Sequence, residues 1–259
     1  MSDYLQKLFG LDGRVAVVIG GTGVLGSELC NGLAQAGATV VVAGRNAERG
    51  QQRVDAIEKL GGAATFAEVD ATSRESVKAL LDKAIGQHGR VDALVNCAGV
   101  NSPTPYLEIS DEEFHRIVDG NLLATHLGCQ VFGQHMIDAG GGAIVNIGSV
   151  TSYRPLSRVF IYSASKAAVL SLTQNVAREF APHGVRVNCV CPGFFPAEQN
   201  RKILDKARID AILRHTPMGR LGEAPELVGA MLLLVSPVAG SFITGEAIYV
   251  DGGFTAMTI

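Results

Sequence analysis

Short apolar runs rich in β-branched residues alternate with helix-like stretches along the chain, and that rhythm limits the fold more than any other feature. The runs are Val15–Ile19, Thr39–Ala43, Ala64–Val69, Ala93–Asn96, Ala143–Ile147, Arg186–Cys191 and Ala247–Val250. Several are apolar throughout, the pattern of parallel strands buried on both faces. Between them lie Leu25–Ala36, Ala47–Leu60, Ser73–His88, Asp111–Gln134 and Ser163–Phe180. Thr72 with Glu75, and Ser110 with Glu113, have capping-box spacing and mark two helix starts. Strand and helix in turn predict an α/β fold, a doubly wound, Rossmann-type parallel sheet of seven strands flanked by helices. No linker divides the 259 residues, so a single domain is expected. The longest break in the rhythm is Pro192–Pro225. It falls at the carboxyl ends of the strands, where open α/β sheets bind ligands, and is either a substrate lid or a plain surface excursion.

Composition narrows the function classes. Charges are mixed, 22 basic against 25 acidic, with no Lys/Arg run, so no nucleic-acid partner is expected. No apolar stretch approaches the roughly 18 residues of a membrane span, and Met231–Val235 is far too short. The polar start, Met1 to Phe9, has no signal-peptide core, which gives a cytoplasmic expectation. Five cysteines, Cys30, Cys97, Cys129, Cys189 and Cys191, sit mostly in apolar contexts and read as buried thiols. Cys189 and Cys191 share one strand face, a poor disulfide geometry. The six His form no metal-ligand pattern, so no metal is expected.

Directly after the first run comes Gly20-Gly21-Thr22-Gly23-Val24-Leu25-Gly26. Glycines there allow a sharp turn and a close approach to a pyrophosphate, whose charge meets free N–H groups at a helix start. For NAD, an acid about 20 residues on would accept from the ribose 2′-hydroxyl. The second strand instead ends Ala43-Gly44-Arg45, and Arg45 could pair with a 2′-phosphate. NADP(H) is favoured on this ground, while NAD(H) stays open if Arg45 only solvates a loop. Asp70, followed by Ala71, could accept from the adenine amino group or simply precede a helix.

Ser149 follows the fifth run, and Tyr162-Ser-Ala-Ser-Lys166 places a phenol and an ammonium one helical turn apart. The ammonium is expected to lower the phenol's pKa and fit Tyr162 for general acid–base work. Ser149 could polarise a substrate oxygen.

The pieces GGTGVLG (20–26), NCAG (96–99), Asn121 in DGNLL, IVNIGS (144–149), YSASK (162–166), RVNCVCPG (186–193) and VDGG (250–253) stand in the order and spacing of one family. On them the chain resembles the short-chain dehydrogenase/reductases over nearly its whole length. The resemblance implies a catalytic tetrad of Asn121, Ser149, Tyr162 and Lys166, with Asn121 holding a relay water and Lys166 also binding the nicotinamide ribose. It implies Asn96, Ala98 and Gly99 on the adenosine side, Pro192, Gly193, Phe194 and Phe195 at the nicotinamide, and a homotetramer. The chain departs from the family pattern at Ile19, Val24, Cys97, Gly148 and Ala197; Val24 puts a side chain in the phosphate turn, and Ala197 stands where a Thr often meets the carboxamide.

Within the family, Arg154–Tyr162 and Pro192–Gly222 are similar to enzymes named D-mannonate oxidoreductase (fructuronate reductase), which implies a sugar acid or polyol as substrate. A carboxylate would need a cation, for which Arg154, Arg158 and Arg201 are candidates, although each taken singly reads more readily as a surface or subunit contact. Thr151, Phe194, Gln199 and Asn200 complete the candidate substrate set. A 3-oxoacyl-thioester (acyl carrier protein) reductase shares the tetrad and is the alternative. A non-catalytic dinucleotide sensor would typically lose the Tyr or Lys, and an enoyl reductase would space them more widely than four.

Overall fold

The computed structural model of the chain describes residues 3–196 and 206–257. Seven strands form one parallel sheet: β1 (Val15–Ile19), β2 (Thr39–Gly44), β3 (Ala63–Glu68), β4 (Ala93–Asn96), β5 (Gly142–Ile147), β6 (Val185–Pro192) and β7 (Ala247–Val250), in the order β3-β2-β1-β4-β5-β6-β7. The expected doubly wound α/β sheet is therefore present. Its order reverses between β1 and β4, which opens a crevice at their carboxyl ends.

The apolar runs have a packing reason. Val18, Val40, Val42, Val95 and Val145 face one core, with Leu29, Leu33, Val54, Ile57, Met231 and Leu234. Their strand neighbours Val17, Val41, Leu94 and Ile144 face the other, with Leu80, Leu127, Phe132 and Met136. Successive side chains point to opposite faces, and both faces are covered, so neither can be polar.

The helices are α1 (Asp3–Phe9), α2 (Val24–Gln35), α3 (Ala47–Lys59), α4 (Arg74–His88), α5 (Asp111–Val118), α6 (Ala124–Asp138), α7 (Phe160–Phe180), α8 (Lys206–His215) and α9 (Val228–Val235). Three expectations need correction. The cap of α4 is Ser73, not Thr72; the Thr72 hydroxyl turns back to Asp70 Oδ1 at 2.7 Å. Ser110 does cap α5, but the Glu113 carboxylate accepts from Thr104 Oγ1 (2.8 Å), so the reciprocal half of the box is not made. The single helix expected over Asp111–Gln134 is broken at Asp119–Leu123 by a wide π-type turn, and α6 runs on to Asp138. Such wide turns often mark functional positions, and Asn121 lies within this one.

Parallel register sets Asn96 beside Asn146 at the ends of β4 and β5. Asn96 Nδ2 donates to Asn146 Oδ1 (2.9 Å), Asn146 Nδ2 to Thr173 Oγ1 (2.9 Å), and Thr173 Oγ1 to the Val169 carbonyl (2.8 Å). Burial makes each of these bonds costly to break. Asn146→Leu, similar in volume, should cost about 1–3 kcal/mol of unfolding free energy in urea titration. An unchanged midpoint would deny the chain of bonds any role in holding α7 to the sheet.

Candidate active site at the carboxyl edge of the sheet

The turn after β1 is tight. Gly20 has φ +88°, and a carbon added there would lie 2.6 Å from the Ala98 nitrogen and 2.7 Å from the Cys97 carbonyl carbon. A carbon on Gly26 would collide with the Gly20 carbonyl oxygen. Gly23 precedes α2 and gives no side-chain cap, so the first N–H groups of this twelve-residue helix lack one. Backbone packed this closely beside an uncapped helix start fits a pyrophosphate. Val24 is exposed and Leu25 packs against the core. Thr22 lies over the end of β2, where a carbon on Gly44 would meet its Oγ1 at 2.7 Å. Arg45 follows and is exposed. The Asp70 carboxyl is held below its ordinary value, first by the Thr72 hydroxyl and amide and then by the charge of Arg45. Ala71, half-buried, follows it.

Asn96 departs from its expected place. Its side chain is 3% exposed and points into the sheet, so the amide braces β4 against β5 instead of lining the adenosine side. Ala98 and Gly99, both half-buried, do follow at the strand's carboxyl end.

The four tetrad residues come from three elements at one edge of the sheet. Ser149, just past β5, is buried, and its hydroxyl accepts from the Thr151 amide (3.2 Å). Tyr162 and Lys166 sit on the first turns of α7, with Nζ 5.7 Å from the phenol ring centroid. Lys166 is buried, and its Nζ donates to the Ile147 carbonyl at 2.7 Å. Asn121 Oδ1 accepts from the Val100 amide (2.7 Å), while Nδ2 reaches the Val100 carbonyl (3.0 Å) and Ser165 Oγ (2.9 Å). A carbon on Gly99 would lie 3.1 Å from Asn121 Oδ1 and 3.5 Å from Lys166 Nζ, so glycine lets the amide and the ammonium close on one spot.

One electrostatic expectation is overturned. Burial pushes the Tyr162 phenol above its ordinary value, and the hydrogen bond with Ser149 only partly offsets this. Burial also lowers Lys166. With one proton-bearing nitrogen committed to Ile147, desolvation outweighs the charge.

The nicotinamide and substrate candidates divide. Gly193 packs on the turn after β7, where an added carbon would lie 2.7 Å from Asp251 Cα; Asp251 in turn accepts from Gly253 N (2.9 Å) and Thr255 N (2.9 Å). PG (192–193) and VDGG (250–253) are thus one unit. Phe195 is a core side chain at 4% exposure, which corrects its expected place at the nicotinamide, and Phe194 stacks edge-on against Phe254 (5.1 Å). Thr151 is buried beside Ser149, its hydroxyl without a partner among the described residues. Arg154 donates to the Thr255 carbonyl (3.2 Å) and lies over the Tyr153 ring, tied to the C-terminal segment. Arg158 is exposed, with a left-handed backbone at φ 63°. Ala197, Gln199, Asn200 and Arg201 lie outside the described residues.

Two features escaped the sequence reading. The hydroxyls of Ser152 and Ser165 bond the Lys166 carbonyl (2.9 Å) and the Tyr162 carbonyl (2.7 Å). Behind them Cys189 and Cys191 place their sulfurs 3.7 Å apart, both buried. Gly148 makes their room, since a carbon there would lie 2.8 Å from each sulfur.

Comparison with known proteins agrees with this geometry. A family model described as enoyl-(acyl carrier protein) reductase matches residues 23–255. Gluconate 5-dehydrogenase of Gluconobacter oxydans is 36% identical, over 96% of this chain and 97% of its own. The 3-oxoacyl-[acyl-carrier-protein] reductase of Chlamydia pneumoniae is 31% identical, over 95% and 98%. A crystal structure of a gluconate 5-dehydrogenase from Burkholderia cenocepacia J2315, in complex with NADP and tartrate, superposes with a TM-score of 0.94 at 34% identity, covering 98% of this chain and 100% of that one.

The balance at Tyr162 can be read directly. Tyrosinate absorbance of the cofactor-free protein, minus that of Tyr162→Phe, should place this phenol's ionisation above the ordinary tyrosine value of about 10. Ionisation near neutrality would show that Lys166 dominates after all.

Proposed function

Because the chain belongs to the short-chain dehydrogenase/reductase family, an NAD(P)-dependent class of oxidoreductase acting on CH–OH groups, we propose that its reaction is reversible oxidation of a sugar-acid hydroxyl with NADP(H) as the preferred cofactor. The observation that carries the reaction class is the convergence of Ser149, Tyr162, Lys166 and Asn121 at the edge where the glycine turn also opens. Likeness to gluconate 5-dehydrogenases supports the sugar-acid class. The D-mannonate/fructuronate pair remains one member of that proposed class.

The residues present fit the cofactor. Gly20, Thr22, Val24, Leu25 and Gly26 would hold the pyrophosphate on the start of α2, Arg45 the 2′-phosphate, and Asp70 with Ala71 the adenine. Ala98, Gly99, Lys166, Pro192 and Gly193 would line the ribose and nicotinamide. When bound, the nicotinamide supplies or accepts the hydride. The protein handles the proton. Ser149 and Tyr162 hydrogen-bond one substrate oxygen and so orient and polarise its carbon. In reduction the phenol, kept protonated by burial, gives its proton to that oxygen; in oxidation it takes one back. The Lys166 charge favours the phenolate once formed, and Asn121 is placed beside Nζ to continue the proton's path outward.

The enoyl-reductase description of the family model does not set the chemistry here. Tyr162 and Lys166 are four residues apart, and the Ser149–Tyr162 pair serves an oxygen.

Tyr162→Phe should lower kcat by at least about 100-fold with dinucleotide affinity nearly unchanged, the usual scale of a lost acid–base group. Retained turnover would remove the phenol from the reaction. Arg45→Ala should raise KM for NADPH roughly tenfold or more, and KM for NADH little, the scale of one charge-assisted hydrogen bond. Equal effects would count against a phosphate contact. The reading as a whole is tested by a dehydrogenase screen with both cofactors. Aldonates should outperform uncharged polyols and hydroxyacyl thioesters, and a preference for the thioesters would favour the 3-oxoacyl reductase.

A further inference from the structure

Ser152 touches two of the tetrad residues without belonging to the tetrad. It closes the short turn Val150–Ser152 that follows Ser149. Its hydroxyl accepts from the Ser149 backbone amide (3.2 Å) and donates to the Lys166 carbonyl (2.9 Å). One oxygen therefore joins the backbone that carries the polarising serine to the helix that carries the lysine and the phenol. These elements come from different parts of the chain. Ser149 stands on extended backbone at φ −167° and caps this turn, so its placement depends on the bonds it shares with Thr151 and Ser152. Cys191 interacts with the same amide and with the Ser152 hydroxyl, and its sulfur is a weak acceptor. The oxygen of Ser152 is the stronger partner.

We propose that Ser152 is a positioning residue for the proton-transfer step, a hydroxyl strut that sets the distance between Ser149 and the Tyr162–Lys166 turn. Ser149 and Tyr162 must serve the same oxygen, and a displacement of about 1 Å at such a pair can cost on the order of 100-fold in rate. The strut acts through Ser149 and Lys166 and lies behind both. Dinucleotide affinity should change little, because the strut meets Lys166 only at its backbone carbonyl while the glycine turn and Arg45 belong to β1, α2 and β2.

The test compares Ser152→Ala, Ser152→Thr and Ser152→Cys with the wild type in the full chain, using whichever alcohol the wild type oxidises fastest, so the outcome stands apart from the sugar-acid reading. Ser152→Ala should lower kcat between about 3-fold and 30-fold, the range for losing one or two hydrogen bonds. Affinity for NADP+ should stay within about twofold, and the alkaline rise of kcat for oxidation should move to higher pH as Ser149 slackens its hold on the phenol. Ser152→Thr, which keeps the hydroxyl, should recover most of the rate and the wild-type pH profile. Ser152→Cys fills the site with a slightly larger atom and weakens both bonds, so it should lose rate and shift its profile even if the alanine variant does not fold. Wild-type kcat and pH profile in the alanine or cysteine variant would overturn the proposal. So would equal losses in all three variants with the profile unmoved, which would mark Ser152 as packing alone.

Discussion

One buried hydrogen bond, from Asn146 Nδ2 on β5 to Thr173 Oγ1 on α7, ties the sheet to the helix on which the site depends, with Asn96 backing the amide and the Val169 carbonyl taking the hydroxyl proton within α7. Backbone bonds and the Asn96–Asn146 amide pair hold β4 to β5, but nothing in a parallel sheet says how far along it a covering helix must lie. Apolar packing tolerates sliding, whereas an amide that would lose its partner in a dry interior does not. Thr173 is seven residues past Lys166 on the same helix. Once that contact is made, the ammonium arrives at the Ile147 carbonyl and the phenol arrives beside Ser149.

A second constraint is the repeated use of absent side chains. Gly20 lets the first turn press against the chain after β4, Gly99 lets Asn121 and Lys166 meet, and Gly193 lets the end of β6 settle on the turn after β7. Gly20 and Gly193 bring two backbones closer than a larger residue allows, and Gly99 leaves a tight space in front of two reactive groups. The crevice has its shape because several elements approach at these points, and the reactive groups stand on a framework more than on mobile connections.

Much of this was legible beforehand, for physical reasons. The strands announced themselves because both of their faces are buried, so Val17 and Val18, or Leu94 and Val95, are apolar for different cores. The spacing of Tyr162 and Lys166 could be read because helical geometry is local. What could not be read depended on competition. Asn96 turns inward because its neighbour in register is another amide, a fact that belongs to β5 and not to β4. The wide turn at Asp119–Leu123 leaves no mark in a pattern that stays helical on both sides. Phe195 chose the core over the ligand, and the Tyr162 proton follows the balance of burial against charge, which no spacing reports. Thr72 gave way to Ser73 as a cap because its hydroxyl had a carboxylate within reach.

Gly148 and the two sulfurs of Cys189 and Cys191 form one packing unit. A side chain at 148 would run into both sulfurs at once, with no direction left in which to turn. Loss of either sulfur leaves a gap of about one atom, which a core of this kind can survive. Mutational routes between this arrangement and one with serine at 148 are therefore ordered. A cysteine that shrinks first makes room for the larger residue, whereas a residue that grows at 148 first pushes on the backbone beside Ser149 itself.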